Sequence, residues 1–545
     1  MELNNKIDAL LETMDTESLS HPLVFLSLGK TNIKATVKLI KRTNYLKRDI
    51  LKHCQKFKNQ TGHPPEWIKV DWVVETKRLL FEDVINELIQ TRRNYVDFGI
   101  TLDKYWNMTF LPDEINANAF VRPGKEKNTL ILSEKNINNY LKKYTKSRKF
   151  FNSKNYEGKY ITKFYTKAFI HDNHYVYELG DYGPTKNLRN VDNLDKEINR
   201  LIQFGSDFLE NMMEPKGKYT YGYFPHFDKH IDFYNNLRHS SSTYALLESM
   251  SYLDKDWHSA QNAINYIIDN YLYEVNGKGY IYDDTKQINE IKLGQNASFI
   301  FAVCEYLKLN PNDTRALMSA QKVAKGILTM VDANSGSTIH VLNYPDLSIK
   351  EKHRIVYYDG EAALALLRLY QIEQNPVLLD TVKKLFDYFI ANDYWQYHDH
   401  WLGYCTNELV KLVPEESYYR FGIKNVNHYL DYIKQRETTY PTFLEMLMAT
   451  YNLIQDAKQN GYNHIVEELL NEEEFIETIH FRANYQRTGF FYPEIAMYFK
   501  NPQRILHSFF IKHHGFRVRI DDIEHYLSGY IQYQKAFGKQ EVESN

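Results

Sequence analysis

The stretch YYDGEAALALLRLYQIEQNPVLLDTVKKLFDYFIAND (357–393) decides the architecture. Its first half, with ALALLRLY at its centre, is apolar almost all round, the mark of a helix buried on both sides. EQNP then supplies an Asn and a Pro, which suit the start of a new helix. The second half keeps Lys and Asp on one face, as a helix with one wet side does. Working outward, the same unit recurs. RHSSSTYALLESMSYL and DKDWHSAQNAINYIIDNYL fill 238–272, and LGQNASFIFAVCEYLKL and NPNDTRALMSAQKVAKGILTMV fill 293–331. Two further pairs occupy 398–435 and 439–479, and RIDDIEHYLSGYIQYQKAF (519–537) is a sixth first-type helix with nothing after it to pair with.

DKEINRLIQFGSDFLENMM (195–213) precedes the first pair and lacks a partner. It can complete the sixth pair, so the expected fold of 191–545 is an all-α (α/α)6 toroid of six helical hairpins. A linear solenoid is the alternative. Residues 1–190 read differently, as an α+β domain. Lys6 to Met14 is a short amphipathic helix, and VFLSLG (24–29) is β-rich. Residues 34–57 read as a strand or helix followed by a helix, and FEDVINELIQTRRN (81–94) has helical spacing. WIKVDWVVE (67–75) alternates with period two, and KYITKFYTKAFIHDNHYVYEL (159–179) reads as two strands about an HDNH turn.

Composition agrees with two domains. The chain has 545 residues, 43% hydrophobic and 25% charged, which excludes wholesale disorder. No apolar run approaches the ~18 residues of a membrane span; AALALL (362–367) is about the best. The start, MELNNKIDALLETMD, is polar and acidic, unlike a secretory or transit peptide. Three cysteines, odd in number and far apart, argue against disulfides and make a reducing cytoplasm the expected compartment. Net charge is −2, yet residues 1–190 carry +10 and 191–545 carry −12. The positive charge concentrates in 138–167, where lysines interleave with Tyr144, Phe150, Phe151, Tyr156, Tyr160, Phe164 and Tyr165. That mixture suits an anionic polymer, with a solvated strand-and-loop region as the plain reading. It matches no nucleic-acid module, so nucleic acid is not expected as a partner.

Parallel inner helices would bring their N-termini to one rim. The residues there are Arg238 and His239; Gln295 and Asn296; Tyr358, Asp359 and Glu361; His398, Asp399 and His400; Tyr440 and Glu445; and Asp521, Asp522, Glu524 and His525. Each has a plain role open to it. Ser240 to Ser242, Asp359, Asp399 and Asp521 could cap helices, and Glu361 and Glu524 could complement helix dipoles. What favours a cavity is coincidence, since five of the six loops also carry a His, an Arg, a Tyr or a second acid. His398 and His400 could face a metal from one side, but no third ligand stands at conventional spacing, so neither metal nor cofactor is expected. In FRVRID, Arg517 and Arg519 share one strand face, and His525 lies a turn beyond Asp521 and Asp522. This is either a tuned acid–base group or a salt-bridged closing helix.

The hairpin pattern over about 195–537 resembles the (α/α)6-toroid clan of carbohydrate-active proteins: six-hairpin glycosidases, polysaccharide lyases and sugar epimerases of the N-acylglucosamine 2-epimerase and glucuronyl C5-epimerase types. The lanthionine cyclase toroid is excluded, because its Cys and Cys-His zinc motifs are missing. The glycosidase likeness implies a carboxylate pair, Asp359 or Glu361 opposite Asp521, Asp522 or Glu445. The epimerase or lyase likeness implies proton abstraction with charge neutralisation, for which Arg238, His239, His398 and Tyr358 fit. The expectation is an enzyme acting on a glycan or acidic polymer precursor in a bacterial cell-surface polysaccharide pathway. The alternative is a non-catalytic polymer-binding scaffold whose basic domain docks an anionic partner.

Overall fold

The computed structural model describes residues 3–14, 21–41, 44–90, 95–126, 129–145 and 149–538. The chain divides into two compact units: 1–193 with 223–229 and 487–518, and 194–222 with 230–486 and 519–545. The first unit therefore draws on two stretches that the sequence reading gave to the helical domain. Among the described residues no helix is long and apolar enough to cross a membrane.

In the first unit, helix α1 (Leu3–Thr13) precedes the hairpin β1 (Val24–Lys30) and β2 (Ile33–Ile40). Helix α2 (Leu46–Thr61), the long strand β3 (Trp67–Leu80) and α3 (Phe81–Gln90) follow. Residues 91–94, read above as part of the same helix as α3, lie outside the described residues. Next come β4 (Gly99–Thr101), β5 (Thr109–Phe110), α4 (Pro112–Ala117), the short hairpin β6 (Val121–Pro123) and β7 (Leu130–Leu132), and α5 (Glu134–Tyr144). Strands β8 (Tyr160–His171) and β9 (Val176–Leu179) turn about 172–175. The sheet is antiparallel in the order β2-β1-β3-β8-β4-β5, with β9 also on β8. The period of two in β3 works as the sequence implied. Ile68, Val70 and Trp72 join a core with Ile7, Leu10, Ile50 and Phe57 from α1 and α2. On the alternate face Lys69 is buried and paired with Asp71 at 2.9 Å and Asp113 at 2.7 Å.

The second unit is built of helix pairs. Helix α6 (Leu194–Asn211) comes first. The pairs are α7 (Asn236–Tyr252) with α8 (His258–Tyr271), α9 (Leu293–Leu309) with α10 (Thr314–Leu328), and α11 (Tyr357–Glu373) with α12 (Pro376–Ala391). Helix α13 (His400–Val410) pairs with α14 (Glu416–Lys424), which is followed by the short α15 (Leu430–Gln435). Helix α16 (Thr442–Gln459) pairs with α17 (Asn463–Leu469) and α18 (Glu472–Tyr485), which split at Leu470 and Asn471 where one helix was expected. The chain then adds 487–518 to the first unit, with the short helices α19 (Pro493–Ala496) and α20 (Pro502–Ile505), and ends on α21 (Ile520–Phe537).

Neighbour contacts form a closed cycle: α7 packs on α9, α9 on α11, α11 on α13, α13 on α16, α16 on α21, and α21 back on α7. Helix α6 packs on both α21 and α7, the place left for an outer partner of the last helix. These six cycle helices are the ones read as apolar all round. Every residue from Leu293 to Leu307 of α9 and from Tyr358 to Leu369 of α11 is buried. Their partners bury one face only, as α10 does with Ala316, Ala320, Val323 and Ile327. Asn and Asp set the starts of α7, α10, α12, α13 and α18 by accepting a backbone N–H. The sequence reading did not foresee the five-stranded antiparallel sheet of 272–275, 278–283, 290–292, 341–343 and 349–351, which lies between these helices in sequence.

Candidate active site in the helical unit

The first turns of five cycle helices meet in one polar cluster. Its centre is Glu445 on α16, which is wholly buried. His525 on α21 shares a proton with it, Nδ1 to Oε2 at 2.8 Å, and Tyr404 on α13 donates to the other oxygen at 3.3 Å. His400, the first residue of α13, brings Nε2 to 4.0 Å from Glu445, and its ring stands edge-on to that of His525 at 5.2 Å. Glu524 accepts from Ser241 of α7 at 2.7 Å and lies 3.5 Å from His525 Nδ1. Arg238 of α7 pairs with Asp521 at 2.7 Å and accompanies Tyr221, and Arg519 grips Asp522 with two bonds of 2.7 and 3.0 Å.

Glu361 of α11 completes the cluster. Asp399, Glu524, His525 and Arg238 all act on its charge. Room for it comes from Gly294 at the start of α9, where a Cβ would stand 1.9 Å from Glu361 Oε2. Asp399 caps α13 through the N–H of Trp401 at 2.9 Å, and Gly360 leaves the space its other oxygen occupies. Four buried atoms of the cluster have no hydrogen-bond partner: Glu361 Oε2, His400 Nε2, Glu524 Oε1 and Asp521 Oδ1. Buried polar atoms are almost always paired, so four together describe a surface shaped for a polar guest. Tyr357 and Trp401 flank His400, with ring centres at 6.2 and 4.7 Å. The Arg238 side chain is 33% exposed and that of His525 20%, so a guest would reach the cluster on their side.

Neighbouring charges drive the titration of the two histidines apart. Burial and the positive charge of His525 hold His400 well below the ordinary imidazole value, so it is neutral. Burial also opposes charge on His525, but Glu524 and Glu445 overcome it and push His525 up to about 10, so it is cationic. Glu361 is raised well above the carboxylate range, first by burial and then by Asp399 and Glu524. Asp399 is raised chiefly by burial, and Glu524 is pushed up to about 7 for the same reason. The cluster thus sets the protonated carboxyls of Glu361 and Asp399 and the neutral imidazole of His400 beside the imidazolium of His525.

Several residues expected at the rim have other work. His239 is fully satisfied by Tyr234 at 2.7 Å and Ala263 at 2.9 Å, and burial keeps it neutral. Asn296 binds the backbone of Ile281 and Lys292, and Gln295 that of Tyr282, so both tie α9 to the neighbouring strands. His398 Nδ1 donates to the carbonyl of Asn425 at 2.7 Å, and its ring stacks on Tyr429 at 3.6 Å. Asp359 binds Thr338 and, at 3.2 Å, His340 Nε2. Tyr440 is 39% exposed, beside Phe443. Tyr358 lies against His340 and Gly294. Arg517 belongs to the first unit. Asp359 and Asp521 lie inside their helices' first turns and are not caps, and Ser240 to Ser242 are buried within α7. The reading missed Ser241, Tyr221, Tyr357, Trp401 and Tyr404 as neighbours of the cluster; Tyr404 stands one turn after His400, a spacing the sequence displays.

Among the described residues, two groups bring enough ligand atoms together to be weighed as metal sites. His400, Glu445 and His525 place ligand atoms within 4.8 Å of one another, but His525 Nδ1 is already engaged with Glu445. In the group His340, His353 and Asp359, Nδ1 of His340 accepts two backbone N–H groups, from Arg354 and Ile355. Its proton is therefore on Nε2, facing Asp359, and no lone pair is left for a cation.

No family model matches the chain, and no curated protein sequence matches it. Among solved structures, the cellobiose 2-epimerase from Bacillus thermoamylovorans B4167 aligns at 11% identity over 63% of this chain and 99% of its own, with a TM-score of 0.48. A D-mannose isomerase aligns at 12% identity over 63% and 98%, with a TM-score of 0.47. The GH76A alpha-1,6-mannanase from Salegentibacter sp. HEL1_6 aligns at 11% identity over 63% and 100%, with a TM-score of 0.43. Likenesses this distant transfer no residue role to the present chain.

Proposed function

We propose that the closed cycle of helix pairs is an (α/α)6 toroid and that the cluster at Glu445 is the active site of a carbohydrate-active enzyme, of the epimerase or isomerase type. The observation that carries this reading is a pair of adjacent imidazoles with ring centres 5.2 Å apart, His525 bonded through Nδ1 to Glu445 and His400 Nε2 without a partner, an arrangement that favours a cationic His525 beside a neutral His400. Environments that drive two titratable groups apart supply a base and an acid at one pH. His400 Nε2, buried and unpartnered, takes the proton from the carbon beside a sugar carbonyl. With Nδ1 held by Glu445, His525 offers the proton on Nε2 to the carbonyl oxygen, and a neutral enediol results. Return of a proton to the former carbonyl carbon gives the isomer; return to the original carbon from the other face gives the epimer. The unpaired oxygens of Glu361 and Glu524 suit hydroxyl groups, and the half-buried Tyr357 offers a flat face to a sugar ring.

A glycosidase-type reading has one observation in its favour. Glu361 is kept neutral well above the carboxylate range, the state in which an acid protonates a leaving oxygen. Incubation with reducing mono- and disaccharides in D2O separates the readings. The isomerase reading requires one deuterium at the carbon beside the carbonyl, and loss of that exchange by roughly 10²–10⁴-fold in His400→Asn, with little change in KM. A new reducing end without carbon-bound deuterium would instead favour hydrolysis. Binding with neither would leave the polymer-binding alternative.

A further inference from the structure

The first unit holds a cavity of about 540 Å³ that no part of the reading above uses. Its main wall is one face of α5, where Asn136, Asn139, Tyr140 and Lys143 recur at three- and four-residue spacing. Lys142 flanks that face, Phe227 comes from 223–229, and Lys500 from 487–518. Lys34 lies half-buried beside it, donating to Asn118 Oδ1 at 2.8 Å and to the carbonyl of Tyr498, with Nζ 4.8 Å from the centre of the Tyr144 ring, and desolvation pulls it down to about 7.

Lys142, Lys143 and Lys500 are exposed, and among the described residues no carboxylate pairs with any of them. Position at the end of α5 would by itself favour Lys142 and Lys143 through the helix dipole. It does not account for Lys500, which comes from a distant part of the chain. The nearest buried acid, Glu114, is bonded to Tyr140 Oη and to the N–H of Leu111, and burial pushes it up to about 7. The excess of positive charge around the cavity is therefore not cancelled from within.

Phe150 and Tyr160 of the basic segment are exposed, but neither lines the cavity. Phe151 and Phe164 are core residues, Tyr156 and Tyr165 pack against the core, and Lys163 and Lys167 pair with Glu87 and Glu178. Residues 146–148 of the segment lie outside the described residues. A volume of about 540 Å³ is that of a small-molecule site, not of a polymer track. Three ammonium groups without a carboxylate partner stand around one cavity, Lys500 donating to the carbonyl of Phe227 at 3.0 Å and Lys143 lying over the Tyr144 ring, and they suit a phosphoryl group, with a charge of roughly −2, better than a single carboxylate.

We propose that this cavity binds a small phosphate-bearing molecule, its phosphoryl group held by Lys142, Lys143 and Lys500 and its attached ring resting on Tyr144. Titration calorimetry on the full chain tests this with inorganic phosphate, pyrophosphate and AMP, at two salt concentrations. Saturable binding at one site is expected, with AMP and pyrophosphate tighter than phosphate. Lys143→Gln and Lys500→Gln should each weaken all three about tenfold, and Tyr144→Leu should weaken AMP while sparing pyrophosphate. These side chains are exposed or half-buried, and circular dichroism is the check that the variants fold. Failure of all three probes to bind overturns the proposal, as does binding unchanged in the Lys142, Lys143 and Lys500 triple variant. Binding confined to a single-stranded oligonucleotide, and falling steeply with salt, would overturn it in favour of a polymer site.

Discussion

His525 is the residue on which the candidate site turns. Arg238 and Arg519 are committed to Asp521 and Asp522, which leaves the His525–Glu445 pair as the charge that faces the guest. Because the folded state raises His525 to about 10, its stabilisation is whole below the ordinary 6.5 and is lost as pH rises toward 10. Glu524 has the same sign for the opposite reason. Burial raises it from 4.5 to about 7, so the folded state holds its proton more tightly than the unfolded chain does. The stability linked to it is whole below pH 4.5 and fades by pH 7, a change of about 3 kcal/mol at ~1.4 kcal/mol per pKa unit. Denaturant unfolding from pH 4.5 to 7.5 should show that change as the difference between the wild-type and Glu524→Gln curves; parallel curves would mean that Glu524 titrates normally. Gly294 makes a second residue-scale test. A Cβ there meets Glu361 at 1.9 Å and the Tyr358 ring at 2.3 Å. Gly294→Ala should cost roughly 1–3 kcal/mol by overpacking and displace the Glu361 carboxyl. An unchanged melting temperature together with unchanged sugar binding would count against that packing. Neither residue's partner could be read locally. Gly294 and Glu361 stand on different helices, and the chain between them carries a sheet that the reading missed.

At the scale of elements, the sequence was most informative where a helix is buried all round. The unbroken apolar runs of α9 and α11 have that appearance because neighbours cover every face, and the same contrast set the outer helices apart. Helix starts were half legible. Asp399 does cap α13, but Asp359 and Asp521 sit one or two residues inside their helices, since Tyr357 and Ile520 already have helical hydrogen bonding. A cap and a first-turn acid differ by one or two residues, a margin that spacing alone does not resolve. Asp399 also shows why a cap can matter to a site, for the residue it launches is His400. Its carboxyl is held neutral by burial and serves as an acceptor, which an amide can imitate. Asp399→Asn should therefore keep stability within about 1 kcal/mol. Asp399→Ala, which loses the acceptor, should cost roughly 0.5–2 kcal/mol and loosen His400. Thermal melts of the two variants decide it, and equal losses in both would mean that the carboxylate charge, not the cap, is what counts.

At the scale of the whole molecule, the charge division of the sequence located the change of texture near residue 190 but not the return of the chain. Residues 487–518 contain only helices of three or four residues, single bridges and the first residue of the two-residue strand Val518–Arg519, so no period marks them as part of the first unit. What binds them there is non-local chemistry. Arg189, 1% exposed, pairs with Glu494 at 2.9 and 2.6 Å and with Asp172 at 2.9 Å, and Tyr498 donates to Ser27 at 2.8 Å. A buried guanidinium stripped of its carboxylate costs about 3–5 kcal/mol, a large share of the roughly 5–15 kcal/mol that holds a domain together. The first unit should consequently not survive as residues 1–193 alone. That fragment keeps Asp172 but loses Glu494, Tyr498 and the aromatic residues of 490–510 that are buried in the full chain. Its amide spectrum should lack dispersion, and the full chain carrying Glu494→Gln should unfold at lower denaturant than the wild type. A well-dispersed 1–193 fragment with a cooperative melt would show instead that the sheet and its helices are self-sufficient, and that 487–518 merely covers a finished domain.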